Sequence, residues 1–573
     1  MKWKIAKKIS PDFKSQFPEI NPIILQLLYN RGLRTQEEID AFLLPDYSQD
    51  LYDPFLFVDM ERAVKRIFLA IKKKERILIY GDYDADGISA AVILFEFFRK
   101  LGVKVDVYLP DREREGYGLN KEAIKNFVQQ KIDLIITVDC GISNSSEVDL
   151  ASKSGIEIII TDHHNEPNQL PKRAYALINP KLSREHYPFK FLAGVGVSYK
   201  LIQALIAKQK EFLGEEVIKS GWEKWLLDLV AVGTVADLMP LLGENRTLVK
   251  YGLIVLNKTP RIGLNALIEK AGLSKNNLST DNIAFQIAPR LNAAGRMDHA
   301  NVSFKLLTTE SLEEAEKIAL ELNQINQQRQ KLIEKIVNEI NQKLEKEDFQ
   351  KKSILIWGKD WPVGIIGLIA GRLTDKWYRP SIVLTEKERT MVASGRSIKE
   401  LDIMEVLKEL DDYFLNYGGH SRACGFTLKD KKLLESFQKD LEELIEEKLK
   451  GVDFEGELFI ESQVSLREIT WQFYEDLEKF EPFGQDNNRP RFLVENVEVI
   501  GLERVGSNGH HLRIFVRDDE FITKKMIGFN LSENWAEKLK IGDRIDVVFE
   551  LSVNQWNGSQ ELQLKIIDLK INQ

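Results

Sequence analysis

Short apolar runs alternate with longer amphipathic stretches between residues 76 and 161, which predicts strands separated by helices. The stretch at 88–102 has the length and closing glycine of a helix, and another helix is expected near 120–130. Four short, mostly apolar runs have the length of buried strands: RILIYG (76–81), VKVDVYL (103–109), DLIITV (133–138) and IEIIIT (156–161). This alternation is typical of a parallel sheet covered on both faces, in which ligands bind at the carboxyl ends of the strands.

The later pattern predicts a second α/β unit and a barrel. Residues 222–239 read as an apolar helix that ends in VADLMP. From Leu312 to Leu344 apolar residues recur every three or four positions, which predicts a long helix connecting two lobes. Strands SILIW and PSIVL flank a predicted helix at 364–376. From Gly456 onward, strands and turns indicate a small antiparallel barrel.

The 573 residues exceed what one hydrophobic core needs, so several domains are expected. The fold class is α/β with an added barrel. We expect a helical preface, a parallel-sheet α/β domain, a connector helix, a second α/β domain and a terminal barrel, at 1–50, 51–300, 301–350, 351–452 and 453–573.

The composition is that of an ordinary globular protein, with 43% hydrophobic and 29% charged residues. The net charge of −8 argues weakly against a nucleic-acid coat protein but leaves room for a local basic channel. Cys140 and Cys424 have no paired spacing, which excludes a disulfide framework or a cysteine zinc site. No apolar segment follows the basic N-terminus, and the longest apolar stretch, 363–370, is too short to cross a bilayer. We therefore expect a cytoplasmic protein that does not enter membranes.

Acidic and histidine residues follow the predicted strands at the edge where ligands bind. The strand at 76–81 leads into DYDADG, the strand at 133–138 into DCG and the strand at 156–161 into DHH, while the helix at 222–239 carries Asp237 near its end. Carboxylate and imidazole ligands without thiolates favour Mn²⁺ or Mg²⁺ over structural zinc. A bridging carboxylate holds two such ions about 3.5–4 Å apart. The alternative is that each aspartate only caps the following helix; four such motifs together favour a metal site.

The order and spacing of these motifs make a family resemblance visible. GDYDADG, VDCG, TDHH and GTVADLMPL resemble the motifs of the DHH phosphoesterase superfamily. Downstream, PRLNAAGR, VGIIGLIAGRL, SGRS and GGHSRACGF resemble the RecJ family of single-stranded-DNA-specific exonucleases. The resemblance includes the connector (LNQINQQRQ) and the terminal barrel. It implies a DHH catalytic domain, a DHH-associated substrate-binding domain after the connector, and an OB-like single-strand-binding domain at the C-terminus.

The resemblance also implies a centre of two ions, Mn²⁺ or Mg²⁺. The residues that match the superfamily's metal ligands are Asp84, Asp86, Asp139, His163 and Asp237, and Asp82 is expected as a further ligand. Asp139 is expected to bridge the ions because its strand is central. Many relatives carry a histidine where Tyr80 stands, so Asp82 or a water would replace that ligand. His164 is expected at the scissile phosphate as a hydrogen-bond donor or as the acid for the leaving group; the alternative is that it supports the metal ligands.

A second set of residues is implied in holding the strand. It consists of Arg112, Arg290, Arg296, Arg372, Ser394, Arg396, Gly418, Gly419 and His420. Of these, Arg112, Ser394, Arg396 and His420 would form a pocket for a terminal 5′ phosphate, since a cation beside exposed backbone N–H groups suits an anion.

The terminal barrel offers two aromatic candidates for stacking on bases. They are Trp556 and Phe515, and for Phe515 a place in the buried core is the favoured interpretation.

The function that the resemblance implies is 5′ to 3′ degradation of single-stranded DNA to mononucleotides, in recombination and repair. Expected partners are single-stranded DNA with a 5′ phosphate, a helicase and a single-strand-binding protein, and the chain is expected to be a monomer. One alternative is a phosphodiesterase acting on oligoribonucleotides or small nucleotides, whose members generally lack the connector and the barrel. The other is a non-catalytic replication scaffold, which the intact acidic motifs disfavour.

Overall fold

A five-stranded parallel sheet lies at the centre of the first α/β domain in this computed structural model. In spatial order its strands are Asp106–Tyr108, Ile77–Tyr80, Leu134–Val138, Glu157–Thr161 and Ala176–Ile178. Every neighbouring pair is parallel. The predicted parallel sheet is therefore present, with one additional short edge strand that has too few apolar residues to stand out in the sequence.

The structure describes all but a few residues, and the chain divides into two units. The residues left out are Met1, Glu113, Asp298, 347–349, Ser507, 557–558 and Gln573. The side chain of Trp556 also lies outside the described residues, so its predicted stacking role stays a prediction. One unit comprises Met1–Asp50, Pro240–Thr247 and Gly456–Gln573, and the other Leu51–Met239 and Leu248–Glu455.

Helices cover both faces of the parallel sheet because alternate strand residues point to opposite sides. Leu78 and Tyr80 join a cluster with Phe127 and Val148, which belong to two helices on one face. The main helices of this domain are Met60–Lys73, Ala85–Lys100, Lys121–Gln129, Ser145–Lys153, Gly194–Leu213, Leu227–Ala236, Ile262–Lys270, Ala288–Met297 and Asn301–Thr308. A further helix, Gly243–Leu256, has residues in both units. Both faces are thus buried, as the continuous apolar character of the strands predicts.

The connector is one continuous helix, Leu312–Lys346, of 35 residues. At about 1.5 Å per residue it is roughly 50 Å long. It packs on helices Ile262–Lys270 and Ala288–Met297 of the first α/β domain. Its second half contributes Ile336 and Ile340 to a core shared with helix Val363–Trp377. The helix therefore holds the two α/β domains of this unit together.

The second α/β domain contains a mixed five-stranded sheet. In spatial order its strands are Phe414–His420, Ala423–Leu428, Thr390–Arg396, Ser381–Lys387 and Ile354–Gly358. Only the last pair is parallel; the other neighbours are antiparallel. Its helices are Val363–Trp377, Ile403–Glu409 and Leu434–Lys448.

The C-terminal strands close into a barrel. They are Arg491–Val505, His511–Arg517, Thr523–Gly528, Ser559–Ile571 and Arg544–Trp556 in spatial order, and the first also pairs with the last. The N-terminal helices Pro11–Gln16, Pro22–Asn30 and Gln36–Leu43 contribute to the same hydrophobic core. In the same unit the buried Arg246 donates hydrogen bonds to carbonyls of Phe42, Lys479, Phe480 and Glu481.

The expectation that Phe515 is buried in the barrel core is wrong. Leu512, Ile514 and Val516 of its strand are fully buried, whereas Phe515 is half-buried on the opposite face. A Cβ at Gly501 on the neighbouring strand would lie 3.1 Å from the Phe515 ring. The period of two along the strand therefore places Phe515 outside, over a glycine.

Among the described helices none is both long enough and apolar enough to cross a membrane.

Candidate metal centre and phosphate-binding residues

The acidic and histidine residues predicted to bind metal come together at the carboxyl edge of the parallel sheet. Three groups have potential ligand atoms within 4.8 Å of one another: Asp82 with Asp84 and Asp139, Asp86 with His163 and Asp237, and Asp139 with His163 and His164. Asp139 and His163 each belong to two groups. The structure therefore brings all six predicted ligands into one cluster.

The spacing of these atoms fits the coordination sphere of a small cation. Nε2 of His163 lies 3.1 Å from Oδ1 of Asp139, 3.4 Å from Oδ2 of Asp237 and 4.0 Å from Oδ2 of Asp86. Around an octahedral ion with bonds of about 2.1 Å, adjacent ligands are about 3 Å apart and opposite ligands about 4 Å.

Unpaired buried oxygens support the same conclusion. Oδ1 of Asp82, Oδ1 of Asp139 and Oδ2 of Asp237 are buried and have no hydrogen-bond partner among the described residues. Burial, followed by the charges of Asp86 and Asp84, raises the pKa of Asp139 well above its usual range. Buried carboxylates without partners are costly, and divalent cations would compensate them.

His163 is suited to be a ligand because it is neutral. Burial, and then the neighbouring His164, lowers the pKa of His163 to about 3. A metal ligand must be the neutral imidazole, so this residue needs no deprotonation at neutral pH.

Asp84 and Asp86 have local roles as well. Asp84 is the N-cap of helix Ala85–Lys100, and its Oδ1 accepts hydrogen bonds from the N–H groups of Asp86 and Gly87. The capping interpretation is thus correct for Asp84. Asp86 accepts hydrogen bonds from N–H of Gly194 at 2.7 Å and of Val195 at 2.9 Å, at the start of another helix.

Two glycines that the sequence did not single out leave room for these carboxylates. A Cβ at Gly194 would lie 2.3 Å from Oδ1 of Asp139, and a Cβ at Gly233 would lie 2.6 Å from Oδ1 of Asp86. Real Cβ atoms do not come this close to another heavy atom. Both positions are in helices, where glycine is otherwise unfavourable by about 1 kcal/mol.

Asp139 itself adopts a backbone conformation that only its surroundings enforce. Its φ is +61°, in the left-handed region, directly after strand Leu134–Val138. Such a conformation costs a non-glycine residue about 1–2 kcal/mol and is often found at functional sites.

Asp162 and Tyr117 are further residues that the sequence did not single out, and both orient His164. Asp162 is fully buried, and its Oδ1 lies 2.8 Å from Nδ1 of His164 while accepting the N–H of His163 and His164. The hydroxyl of Tyr117 lies 2.9 Å from the same ring nitrogen. Burial lowers the pKa of His164, but the hydrogen bond with Asp162 outweighs it and raises the pKa to about 9. The TDHH spacing was the available signal for Asp162.

Tyr80 takes no part in the cluster. Its hydroxyl donates a hydrogen bond to the carbonyl of Gly118 at 2.8 Å, and its ring packs against Tyr108 and Phe127. The tyrosine therefore belongs to the core on one face of the sheet, and Asp82, which lies in the cluster, stays the predicted replacement for the histidine that many relatives carry.

The predicted pocket residues lie on one face of the second sheet. Two rows of residues cross three neighbouring strands of this sheet. One row is Ser394, Gly425 and Gly418, and the other is Arg396, Ala423 and His420. Residues two apart on a strand share a face, so only small residues separate Ser394 and Arg396 from Gly418 and His420 on this face. We call this part of the surface the cleft.

Other predicted residues border this cleft. Gly419 has a φ of +146°, and a Cβ there would lie 2.2 Å from the carbonyl oxygen of Ala423. Nδ1 of His420 lies 3.5 Å from Nδ2 of Asn165, which directly follows the histidine pair of the metal centre. Burial, and after it Arg112, lowers the pKa of Arg396. His420 at the edge of the cleft therefore lies beside the segment that follows the metal-centre histidines.

The remaining predicted arginines lie on converging helices. Arg296 donates a hydrogen bond to the carbonyl of Gly364 at 2.7 Å, and burial and then Arg112 lower its pKa to about 9. Arg290 donates to Oδ1 of Asn323. Arg290 and Arg372 both lower the pKa of Arg329, so they form a second group of cations at the connector helix.

Comparison with known proteins identifies three domains and a family. The profile of the DHH family N-terminal domain matches residues 76–234, the DHHA1 domain matches 350–447, and the RecJ OB domain matches 460–568. A Bacillus subtilis protein named single-stranded-DNA-specific exonuclease RecJ is 37% identical over the whole chain and 71% of its own length. This chain belongs to the RecJ family. Its Escherichia coli member is 32% identical, with 96% of both chains covered.

Solved structures of RecJ agree with this assignment. RecJ of Thermus thermophilus in complex with Mn²⁺ superposes with a TM-score of 0.83 at 27% identity, covering all of this chain and 80% of that one. A second RecJ exonuclease bound to manganese has a TM-score of 0.59 at 31% identity, with 72% of this chain and 98% of that chain covered. The predicted fold class and the RecJ resemblance are confirmed.

Proposed function

We propose that this RecJ family member removes mononucleotides from the 5′ end of single-stranded DNA with two divalent cations, Mn²⁺ or Mg²⁺, in DNA recombination and repair. The observation that carries the proposal is the cluster of Asp86, Asp139, His163 and Asp237, whose ligand atoms converge with buried oxygens left unpaired. Family membership supplies the substrate class and the type of reaction.

The six clustered residues would hold the ions, with Asp139 shared between them. When bound, such a pair activates a water molecule and stabilises the charge that develops on the phosphate oxygens. The chain positions these ligands through its backbone, because the N–H groups of Gly194 and Val195 fix the carboxylate of Asp86. Gly194 and Gly233 supply the space that the carboxylates occupy.

His164 would act on the phosphate from beside the cluster. Its Nδ1 is engaged by Asp162 and Tyr117, which leaves Nε2 as the ring nitrogen that faces a ligand. From there it donates a hydrogen bond to the scissile phosphate or a proton to the leaving oxygen. Asp162 and Tyr117 are positioning residues, since they act only through the ring.

The cleft on the second sheet would bind the terminal 5′ phosphate. Arg396 and Arg112 supply charge, Ser394 and His420 supply hydrogen bonds, and the glycine pair on strand Phe414–His420 lets the phosphate approach the backbone. A pocket that binds a chain end, rather than a passing strand, makes the enzyme an exonuclease. Arg290, Arg296 and Arg372 would contact the phosphates further along the strand.

The requirement for an unpaired strand suggests functional partners. A helicase and a single-strand-binding protein would generate or present the substrate, and the enzyme would act as a monomer with all its ligands from one chain. A phosphodiesterase of small nucleotides is not favoured, because such an enzyme needs no OB domain, whereas the RecJ OB domain matches residues 460–568.

The test is to follow single strands that carry a label at either the 5′ or the 3′ end. With Mn²⁺ or Mg²⁺, the 5′ label should be released first as a mononucleotide, and the same sequence as a blunt duplex should be resistant. Chelation of the metal is the matched control. Release of the 3′ label first would contradict the polarity, and absence of metal-dependent release from either end would contradict the proposed activity.

A further inference from the structure

The connector helix carries two polar residues at positions where the spacing of its buried side chains predicts apolar ones. Its buried stripe runs through Leu322, Asn326, Arg329, Ile333 and Ile336, with alternating steps of four and three residues. Asn326 is fully buried and Arg329 is 7% exposed. A helix that only joined two domains would carry apolar side chains at both positions.

Hydrogen bonding within the protein leaves both side chains partly unsatisfied. Nη2 of Arg329 donates to Oδ1 of Asn326 at 2.7 Å. Nε of Arg329 and Nδ2 of Asn326 are buried and have no partner among the described residues. Buried donors without acceptors destabilise a protein, so packing alone gives no reason to keep them.

The charged surroundings of Arg329 are positive. After burial, the groups that lower its pKa are Arg372 and Arg290, both cations. Arg329 in turn helps to lower the pKa of Arg296, together with Arg112 and Arg396 of the end pocket. Arg290 contacts Asn323 of the connector helix, and Arg296 contacts Gly364 of the second α/β domain. These cations therefore lie between the connector helix and the second domain, and a group of this kind suits a polyanion better than a single small ion.

We propose that Asn326 and Arg329 of the connector helix bind an internucleotide phosphate of the DNA strand whose 5′ end lies in the cleft. The inference rests on the proposed function and extends it to two residues of the connector segment LNQINQQRQ that have been given no role above. The guanidinium donates through Nε, the amide of Asn326 donates beside it, and both belong to a helix that packs against both α/β domains. Contact with a phosphate there fixes how far the strand extends past the metal centre.

The decisive measurement is the salt dependence of single-strand binding in the presence of a chelator, so that no cleavage occurs. Each phosphate neutralised on a single strand contributes about −0.7 to the slope of log K against log salt. Arg329→Met should make the slope shallower by about this amount and weaken binding about tenfold at low salt. Lys331→Met removes one exposed charge from the same helix and is the matched control; it should leave both values unchanged.

Asn326→Asp tests the same site with almost no change of shape. The new carboxylate would pair with Arg329 and compete with the phosphate, so binding should weaken as in Arg329→Met. Because an unpaired buried cation gains a partner, the melting temperature of the DNA-free protein should rise. A lower melting temperature for both variants, with the salt slope of the wild type, would show that the pair is structural and overturn the proposal.

Three further outcomes distinguish a failure of this inference from a failure of the proposed function. Wild-type protein that shows no metal-dependent cleavage contradicts the proposed function. Wild-type protein that cleaves, with an unchanged slope in Arg329→Met, contradicts only the inference. If Arg329→Met alters thermal stabilisation by inorganic phosphate but not the slope for DNA, the site binds a free anion and the proposal is also wrong.

Discussion

Replacing Gly194 by alanine should damage the metal centre without damaging the fold. The added Cβ would lie 2.3 Å from Oδ1 and 2.5 Å from Cγ of Asp139, where contacts of about 3.5 Å are normal. The carboxylate must therefore move by roughly 1 Å. The N–H of Gly194 also donates to Oδ2 of Asp86, so a shift of this helix start would disturb a second ligand.

The magnitude follows from the sensitivity of catalysis to geometry. A displacement of about 1 Å lowers turnover by about 100-fold, or about 2.7 kcal/mol in activation free energy. Loss of ligand orientation typically weakens metal binding about 10–100-fold. At a fixed, saturating metal concentration, a 100-fold weaker affinity removes about 2.7 kcal/mol of metal-dependent stabilisation.

Gly196→Ala is the matched control, because it lies one half-turn away in the same helix. A Cβ there would meet the Leu192 side chain at 3.4 Å, a tolerable contact. Both substitutions gain similar helix propensity, about 1 kcal/mol, so their difference isolates the clash. The assays are turnover on a labelled single strand and the rise in melting temperature with Mn²⁺. If Gly194→Ala matches Gly196→Ala within about threefold in both assays, the assignment of Asp139 as a ligand is refuted.

Three other changes test separate parts of the proposal. Asp139→Ala should abolish cleavage in saturating Mn²⁺ yet retain single-strand binding. The control is Asp133→Ala, at the residue before strand Leu134–Val138, which should cleave normally. Residual turnover above a few per cent in Asp139→Ala would contradict its role as the shared ligand. Arg396→Ala should reduce the preference for 5′-phosphorylated over 5′-hydroxyl strands about tenfold, which corresponds to about 1.4 kcal/mol of binding free energy. Arg389→Ala is the control. If wild type and Arg396→Ala discriminate equally between the two strands, the pocket lies elsewhere. Truncation after Glu455 should give an aggregating protein on size-exclusion chromatography, because it uncovers the apolar faces of the N-terminal helices. Removal of residues 1–50 as well should restore solubility and cleavage of short oligonucleotides. Equal behaviour of the two truncated proteins would contradict a core shared by the N-terminal helices and the barrel.

Local patterns in the sequence were sufficient for the elements and for the metal cluster. Buried parallel strands are continuous apolar runs, and the chain returns to the same sheet edge after each one, so the residues following successive strands must lie together. Asp82, Asp139 and His163 could therefore be placed at one edge from their position after the strands alone. The connector was equally visible because its apolar period persists for its full length.

Contacts between distant segments were not visible in the same way. Gly194, 55 residues after Asp139, carries no motif that reveals its role, and the left-handed backbone of Asp139 is imposed by neighbours rather than by its own preference. Asn326 and Arg329 lie in a polar stretch of the connector, and only the tertiary structure shows that their side chains are buried. The prediction that Phe515 is buried was wrong because the sequence of a short strand does not show which of its two faces lies against the core.

The sequence by itself determined which side chains are available and the order in which they follow strands and helices. The tertiary structure decided which of them are buried, which lack partners, and which helix starts press against the metal ligands. The physical reason is that periodicity is a property of neighbouring residues, whereas desolvation and close approach depend on segments far apart in the chain.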